Sequence, residues 1–122
     1  MKKILIIDDD RWFADTVAQT LHRKGWKTLI APDGAKGIEA IDDFQPDAVL
    51  LDVMLPGSTA PAILNELQSH TDLADLPVVL CTSINSDEFD LDSIKSYGVR
   101  AVLDKAHSEP ADIVKALGDA IG

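Results

Sequence analysis

Five short apolar runs, each followed by a stretch with helical spacing, are the feature of this sequence that most constrains its fold. Each run is too short for a helix and reads as a strand buried on both faces, as in parallel sheets. The predicted strands are residues 4–7, 26–30, 48–51, 78–81 and 101–103. Strands that alternate with helices imply a parallel sheet with right-handed crossovers and helices on both faces. We therefore predict a single three-layer α/β domain built from five β-then-α units.

The stretches between the runs carry the signals of helices. In the first stretch, Ala14, Val17, Ala18 and Leu21 follow the i, i+3, i+4, i+7 spacing of one helix face, and Gly25 suits the residue after its end. The other helices are predicted from apolar or capping residues: Ala35, Ile38 and Ile41 in the second, Ser58-Thr59 before the third, Ser86 before a fourth that runs to Tyr97, and Ser108 with Pro110 at the fifth.

Length, charge and cysteine content exclude several classes of protein. A chain of 122 residues predicts one domain, over residues 1–122, that acts alone or belongs to a longer protein. The net charge of −10 argues against direct binding of nucleic acid or of an anionic membrane surface. No apolar run has the length of a membrane span or of a signal peptide, so we expect no membrane insertion. The single Cys81 lies within an apolar run, which predicts a buried thiol in a reducing compartment, the cytoplasm.

Polar side chains of particular chemical types follow four of the predicted strands where each strand ends. Asp8 and Asp9 follow the first strand, Asp52 the third, Thr82 the fourth and Lys105 the fifth. Singly, each has an ordinary explanation as a helix-terminal acid, a turn residue, a cap or a solvated lysine. Ligand sites in open parallel sheets lie at the carboxyl ends of the strands. The combination therefore predicts one site at this edge of the sheet.

The charges of these residues indicate what such a site can bind. Three clustered carboxylates repel one another, so without a cation at least one should have a raised pKa. Mg²⁺ prefers oxygen ligands and is commonly held by one or two carboxylates with phosphate oxygens. Three aspartates, Lys105 and one Mg²⁺ sum to zero charge. The set suits phosphoryl transfer, with Asp52 as the nucleophile that forms an aspartyl phosphate.

With Pro56 in the loop after Asp52, this set of residues resembles the receiver domains of two-component response regulators, over essentially the whole chain. The resemblance implies a flavodoxin-like fold with strand order 2-1-3-4-5, and a signalling protein of the single-domain, chemotaxis-regulator-like kind rather than an enzyme. It implies that Asp52 accepts a phosphoryl group from the phosphohistidine of a sensor histidine kinase or a histidine phosphotransfer protein. Phosphorylation would then change the partner surface formed by the fourth helix, fifth strand and fifth helix.

The resemblance also assigns the remaining roles at the site. Mg²⁺ would be bound by Asp8, Asp9, Asp52 and the backbone carbonyl of Met54. Thr82 would hydrogen-bond the phosphoryl group and Lys105 would pair with it. Met54 and Ile84 occupy positions that flank the path of an attacking water in this family, and both are apolar. We therefore expect slow self-dephosphorylation.

The loop after Asp52, which reads Pro56-Gly57-Ser58-Thr59-Ala60, departs from the family pattern, and so do positions 102, 104 and 106. Val102 stands where the family usually has an aromatic residue that swings inward on activation, so that part of the family's switch is missing. Ala106 replaces a proline with a cis bond, and we predict a trans bond because a non-proline cis bond costs about 2.5–4 kcal/mol. Asp104 is placed to compete for the ammonium of Lys105.

Other phosphate-handling classes fit the sequence less well. A haloacid-dehalogenase-like phosphatase would need a second aspartate where Met54 stands, and an ATPase would need a glycine-rich P-loop. A flavodoxin would need a hydroxyl- and glycine-rich loop where this chain is acidic. The alternative that stays open is a receiver-like interaction module that works without phosphorylation.

Overall fold

The computed structural model describes residues 2–52, 54–55, 58–59, 64–66, 76–82 and 98–121. Residues 64–66 are helical. The other described elements, in chain order, are β1 (Lys3–Ile7), α1 (Arg11–Arg23), β2 (Lys27–Ala31), α2 (Gly34–Phe44), β3 (Ala48–Leu51), β4 (Met54–Leu55), β5 (Ser58–Thr59), β6 (Val78–Thr82), β7 (Val99–Asp104) and α3 (Pro110–Ile121).

Five of these strands form one parallel sheet in the order β2-β1-β3-β6-β7. Counted along the chain, the sheet strands have the order 2-1-3-4-5, so the predicted flavodoxin-like topology is confirmed. The predicted strand at residues 48–51 has the bounds of β3, whereas β7 is longer than the predicted strand at residues 101–103.

The core lies on both faces of the sheet, which confirms the three-layer arrangement. Successive side chains of a strand point to opposite faces, so Leu5 and Ile7 join one buried cluster while Ile4 and Ile6 join the other. Helix α2 and residue Leu64 contribute to the first cluster. Helices α1 and α3 pack on the second, with four apolar side chains that are fully or almost fully buried: Val17, Leu21, Ile113 and Leu117.

The first two helices begin and end with capping residues. The Asp10 side chain accepts a hydrogen bond from the Phe13 N–H at 3.1 Å and so caps α1, and Gly25, just beyond its end, has a φ of 81°. Asp33 caps α2 in the same way. Helix α2 lies very close to β1, because a Cβ atom added at Gly37 would be 2.5 Å from Ile7 Cδ1.

The segment after β3 differs from the prediction. Strands β4 and β5 pair antiparallel, so Ser58-Thr59 form a strand that was not predicted. The start of the helix that they were predicted to cap lies outside the described residues. A β-branched threonine suits a strand. At the last helix, Glu109 rather than Ser108 directly precedes α3. The predicted fourth helix, residues 86–97, lies outside the described residues.

Candidate functional site

The register of two neighbouring strands brings Asp8 and Asp52 together. Ile7 of β1 pairs with Leu51 of β3, and the Asp52 N–H donates a hydrogen bond to the Ile7 carbonyl oxygen at 3.0 Å. The residue that follows each strand is an aspartate, so the two aspartates lie at the same edge of the sheet. Both aspartates are buried, with exposed fractions of 3% for Asp8 and 6% for Asp52. Charged groups are rarely buried without partners, which marks this edge as a candidate site.

Asp9 completes a group of three carboxylates with the donor chemistry of a magnesium site. One carboxylate oxygen each from Asp8, Asp9 and Asp52 lie within 4.8 Å of one another, and Asp9 is exposed while the other two are buried. Oxygen donors from a small number of carboxylates, open to solvent on one side, are what Mg²⁺ requires, since it retains several waters. The acidic triad therefore fits a divalent metal ion.

Lys105 brings a positive charge to the same carboxylates. Its Nζ lies 2.9 Å and 3.1 Å from the two carboxylate oxygens of Asp8 and 3.4 Å from Asp52 Oδ2. A fourth oxygen, Oδ2 of the more exposed Asp10, is 4.0 Å away. Lys105 follows directly after β7, so its position at this edge results from the order of strands in the sheet.

Burial and charge shift the pKa values of this cluster. Burial raises the pKa of Asp8, and the negative charge of Asp52 adds to the effect, although hydrogen bonds from Lys105 and from the Asp10 N–H oppose it. Burial alone would lower the pKa of Lys105, but its hydrogen bond to Asp8 and the charges of both acids outweigh burial and raise it. The prediction that one clustered acid has a raised pKa is confirmed, with burial rather than repulsion as the main cause.

The structure thus brings together four of the residues that the sequence singled out: Asp8, Asp9, Asp52 and Lys105. The backbone of Thr82 is at the same end of the sheet, because it is the last residue of β6 and pairs with Asp104. Met54 begins β4, two residues after Asp52. The side chains of Thr82 and Met54, and all of Ile84, lie outside the described part of the chain.

The departures from the family pattern at positions 102, 104 and 106 have different outcomes. Asp104 does not take Lys105 from the site, since its carboxylate accepts a hydrogen bond from the Ala106 N–H at 2.9 Å and contacts His107 Nδ1 at 2.7 Å. The hydrogen bond with His107 lowers the pKa of Asp104. No cis peptide bond occurs in the described ranges, so the trans bond predicted before Ala106 is confirmed. Val102 is half-buried and packs against the cluster beneath α2.

Two residues that lie at the site were not identified from the sequence. Asp10 caps α1 with one carboxylate oxygen and approaches Lys105 with the other, and its N–H donates to Asp8 Oδ1 at 2.8 Å. Phe13 places its ring centroid 4.4 Å from Lys105 Nζ. Their position in the sequence could have indicated this, because both residues belong to the start of the helix that follows the acidic pair.

Known proteins resemble this chain in sequence and in fold. The response regulator receiver domain family matches residues 4–118. The DNA-binding dual master transcriptional regulator RpaA of Synechocystis is 32% identical over 117 residues, which are 96% of this chain. The chain spans 46% of the length of RpaA and 36% of several other curated relatives.

Two solved structures are similar to this chain in fold. The BeF3-activated N-terminal receiver domain of Klebsiella pneumoniae RstA has a TM-score of 0.81 and 29% identity, with 98% of each chain covered. The chemotaxis response regulator CheY4 of Vibrio cholerae has a TM-score of 0.87 at 23% identity, also with 98% of each chain covered. Within the described residues, no helix combines the length and the apolar character that crossing a membrane requires.

Proposed function

Because the chain belongs to the response regulator receiver domain family, we propose that it is the phosphoacceptor domain of a two-component phosphorelay, with residues 1–122 forming that domain. Asp52 takes a phosphoryl group from the phosphohistidine of a sensor histidine kinase or a histidine phosphotransfer protein. The observation that supports this most directly is the buried carboxylate of Asp52, which has the Lys105 ammonium 3.4 Å away and the acidic pair Asp8-Asp9 beside it.

The proposed reaction needs little covalent chemistry from the protein beyond the nucleophile. A carboxylate oxygen of Asp52 forms a bond to phosphorus as the bond from phosphorus to the donor nitrogen breaks. The negative charge at Asp52 then rises from −1 to about −2. Lys105, which already contacts Asp52, pairs with the added charge, and the hydroxyl of Thr82 hydrogen-bonds the phosphoryl group.

Mg²⁺ is the proposed cofactor. Asp8, Asp9, Asp52 and the backbone carbonyl of Met54 would hold it, and the three carboxylates already lie within 4.8 Å of one another. When bound, it supplies positive charge that offsets the repulsion between these acids and the phosphoryl oxygens. The chain's own contribution is to bury Asp8 and Asp52 side by side, where water competes weakly for them.

The proposal extends to lifetime, output and location. Self-dephosphorylation is slow, because apolar residues at positions 54 and 84 offer no group to orient an attacking water. The phosphorylated state acts through the surface formed by residues 86–97, β7 and α3, with no direct nucleic-acid contact by this acidic domain. The domain works in the cytoplasm, where a phosphohistidine donor is available to it.

Intact-protein mass spectrometry after incubation with acetyl phosphate and Mg²⁺ tests this function. We expect the wild type to gain one phosphoryl group and Asp52→Asn to gain none. Asp43→Asn, which makes the same change of charge at an exposed position on α2, serves as the matched control and should behave as wild type. Absence of the adduct on the wild type would favour the interaction module that works without phosphate, whereas an equal adduct on Asp52→Asn would contradict the role of Asp52 as the acceptor.

A further inference from the structure

Phe13, in the first turn of α1, lies against the ammonium of Lys105. The Lys105 Nζ is 4.4 Å from the ring centroid, inside the distance of about 6 Å at which a cation is attracted by an aromatic face. The same ammonium contacts Asp8 at 2.9 Å and Asp52 at 3.4 Å. The side chain of Lys105 is 15% exposed, so the ring and the two buried carboxylates replace most of the water around it.

The position of the ring is fixed by its own surroundings. The backbone N–H of Phe13 donates a hydrogen bond to the capping oxygen of Asp10, and the ring packs as a half-buried group against the core cluster beneath α1 and α3. Lys105, in contrast, carries its charge on a flexible four-carbon stem. The ring is therefore the rigid member of the pair and restricts where the ammonium can go.

Asp10 gives the ammonium an alternative position. Its second carboxylate oxygen lies 4.0 Å from Lys105 Nζ, and its side chain is 51% exposed. An ammonium that moved towards Asp10 would lie nearer to solvent and lose its contact with Asp52. Attraction to an aromatic face is larger for a desolvated cation than for an exposed one, so Phe13 favours the inner position over the outer one.

We propose that Phe13 is a positioning residue whose ring holds the Lys105 ammonium beside Asp52, ready to pair with the incoming phosphoryl group. This role rests on the proposed phosphoacceptor function. A purely structural role makes a different prediction. If the lysine stem merely covered apolar surface, any apolar side chain of similar size at position 13 would support phosphorylation equally well.

The test compares Phe13→Leu, which keeps apolar bulk without an aromatic face, with Phe13→Tyr, which keeps the ring. Phe44→Leu is the matched control, because Phe44 is also half-buried on a helix and packs against the opposite core cluster. One measurement is the initial rate of phosphorylation by acetyl phosphate with Mg²⁺. The other is the proton chemical shift of the Lys105 ε-methylene group, which a nearby aromatic ring displaces.

We expect Phe13→Leu to lower the rate about fivefold, which corresponds to about 1 kcal/mol, and to remove the ring-induced shift. Phe13→Tyr should retain the shift and stay within about twofold of the wild-type rate. The proposal is overturned if Phe13→Leu keeps either the shift or the rate, or if Phe44→Leu slows phosphorylation equally. If the wild type accepts no phosphate, the proposed function fails, and the spectra alone decide whether the ring holds the ammonium.

Discussion

Replacing Lys105 by methionine is expected to destabilise the metal-free protein by about 3 kcal/mol at pH 8, because the substitution leaves two buried carboxylates without their cation. Methionine has a similar length and no charge, so the change isolates the ammonium. Asp8 and Asp52 are 3% and 6% exposed, which places the pairs in the buried class rather than among surface ion pairs of little effect.

The distances in the structure set the size of this effect. At an effective dielectric constant of about 20, an ammonium 2.9 Å from Asp8 is attracted by about 6 kcal/mol, and at 3.4 Å from Asp52 by about 5 kcal/mol. Desolvation of the three charges offsets most of this attraction, and removal of one partner from a buried pair typically costs about 3–5 kcal/mol. We take the lower end, because Lys105 is 15% exposed and Asp8 can bind a proton in response.

The pKa of Asp8 determines how the loss of stability in Lys105→Met changes with pH. Its pKa is already raised above the ordinary value of 3.8, mainly by burial, and loss of the Lys105 hydrogen bond raises it further. An acid whose folded pKa lies above its unfolded value destabilises the folded state as the pH rises through the folded pKa. The deficit of Lys105→Met should therefore be largest at pH 8 and shrink as the pH falls to a value at which Asp8 is protonated.

Urea unfolding in EDTA at several pH values measures the deficit, and an unchanged slope with urea confirms that the transition remains comparable. Lys115→Met is the control, since it removes a lysine charge from an exposed position on α3. Added Mg²⁺ should recover part of the loss, because a bound cation supplies the missing charge. A deficit below about 1 kcal/mol at pH 8, or an equal deficit in the control, would refute the reasoning.

Three further predictions concern packing, the thiol and phosphoryl lifetime. Gly37→Ala should cost about 1–3 kcal/mol in urea unfolding because its Cβ would be 2.5 Å from Ile7 Cδ1, and Ile7→Val in the same chain should recover part of that loss. Cys81, whose pKa burial raises to about 12, should react with a disulfide reagent at pH 8 only after unfolding. Met54→Asn should shorten the lifetime of the phosphoryl group on Asp52, followed by mass spectrometry, whereas an unchanged lifetime would contradict the assigned role.

The strands and the acidic site were predictable because their signals are local. A short apolar run that ends in an acid, as at Asp8 and Asp52, shows both the strand and the point where it stops. Alternation with helices then gives the topology, and the topology brings Lys105 to the same edge. Little more is needed to predict that these residues meet, since parallel strands joined by crossovers have their carboxyl ends at the same edge of the sheet.

The contacts of individual side chains were not predictable in this way. The cation–ring contact joins Phe13 to Lys105 across most of the chain, and Asp104 could have paired with its neighbour Lys105 or with His107. Such choices depend on rotamers and on distant packing, which local sequence does not specify. The short strand at Ser58-Thr59 was not predicted either, since serine and threonine suit a helix cap, while threonine also suits a short strand.

The pairing of Ile7 with Leu51 has a consequence for how this domain can vary in length. Adjacent strands lie about 4.7–4.9 Å apart, so the backbone spacing between the two buried acids is set by the sheet and not by the connecting segments. Insertions in the turn at residues 45–47 would leave that spacing intact. A deletion of one residue inside β1 would turn every following side chain of the strand to the opposite face and carry Asp8 away from Asp52.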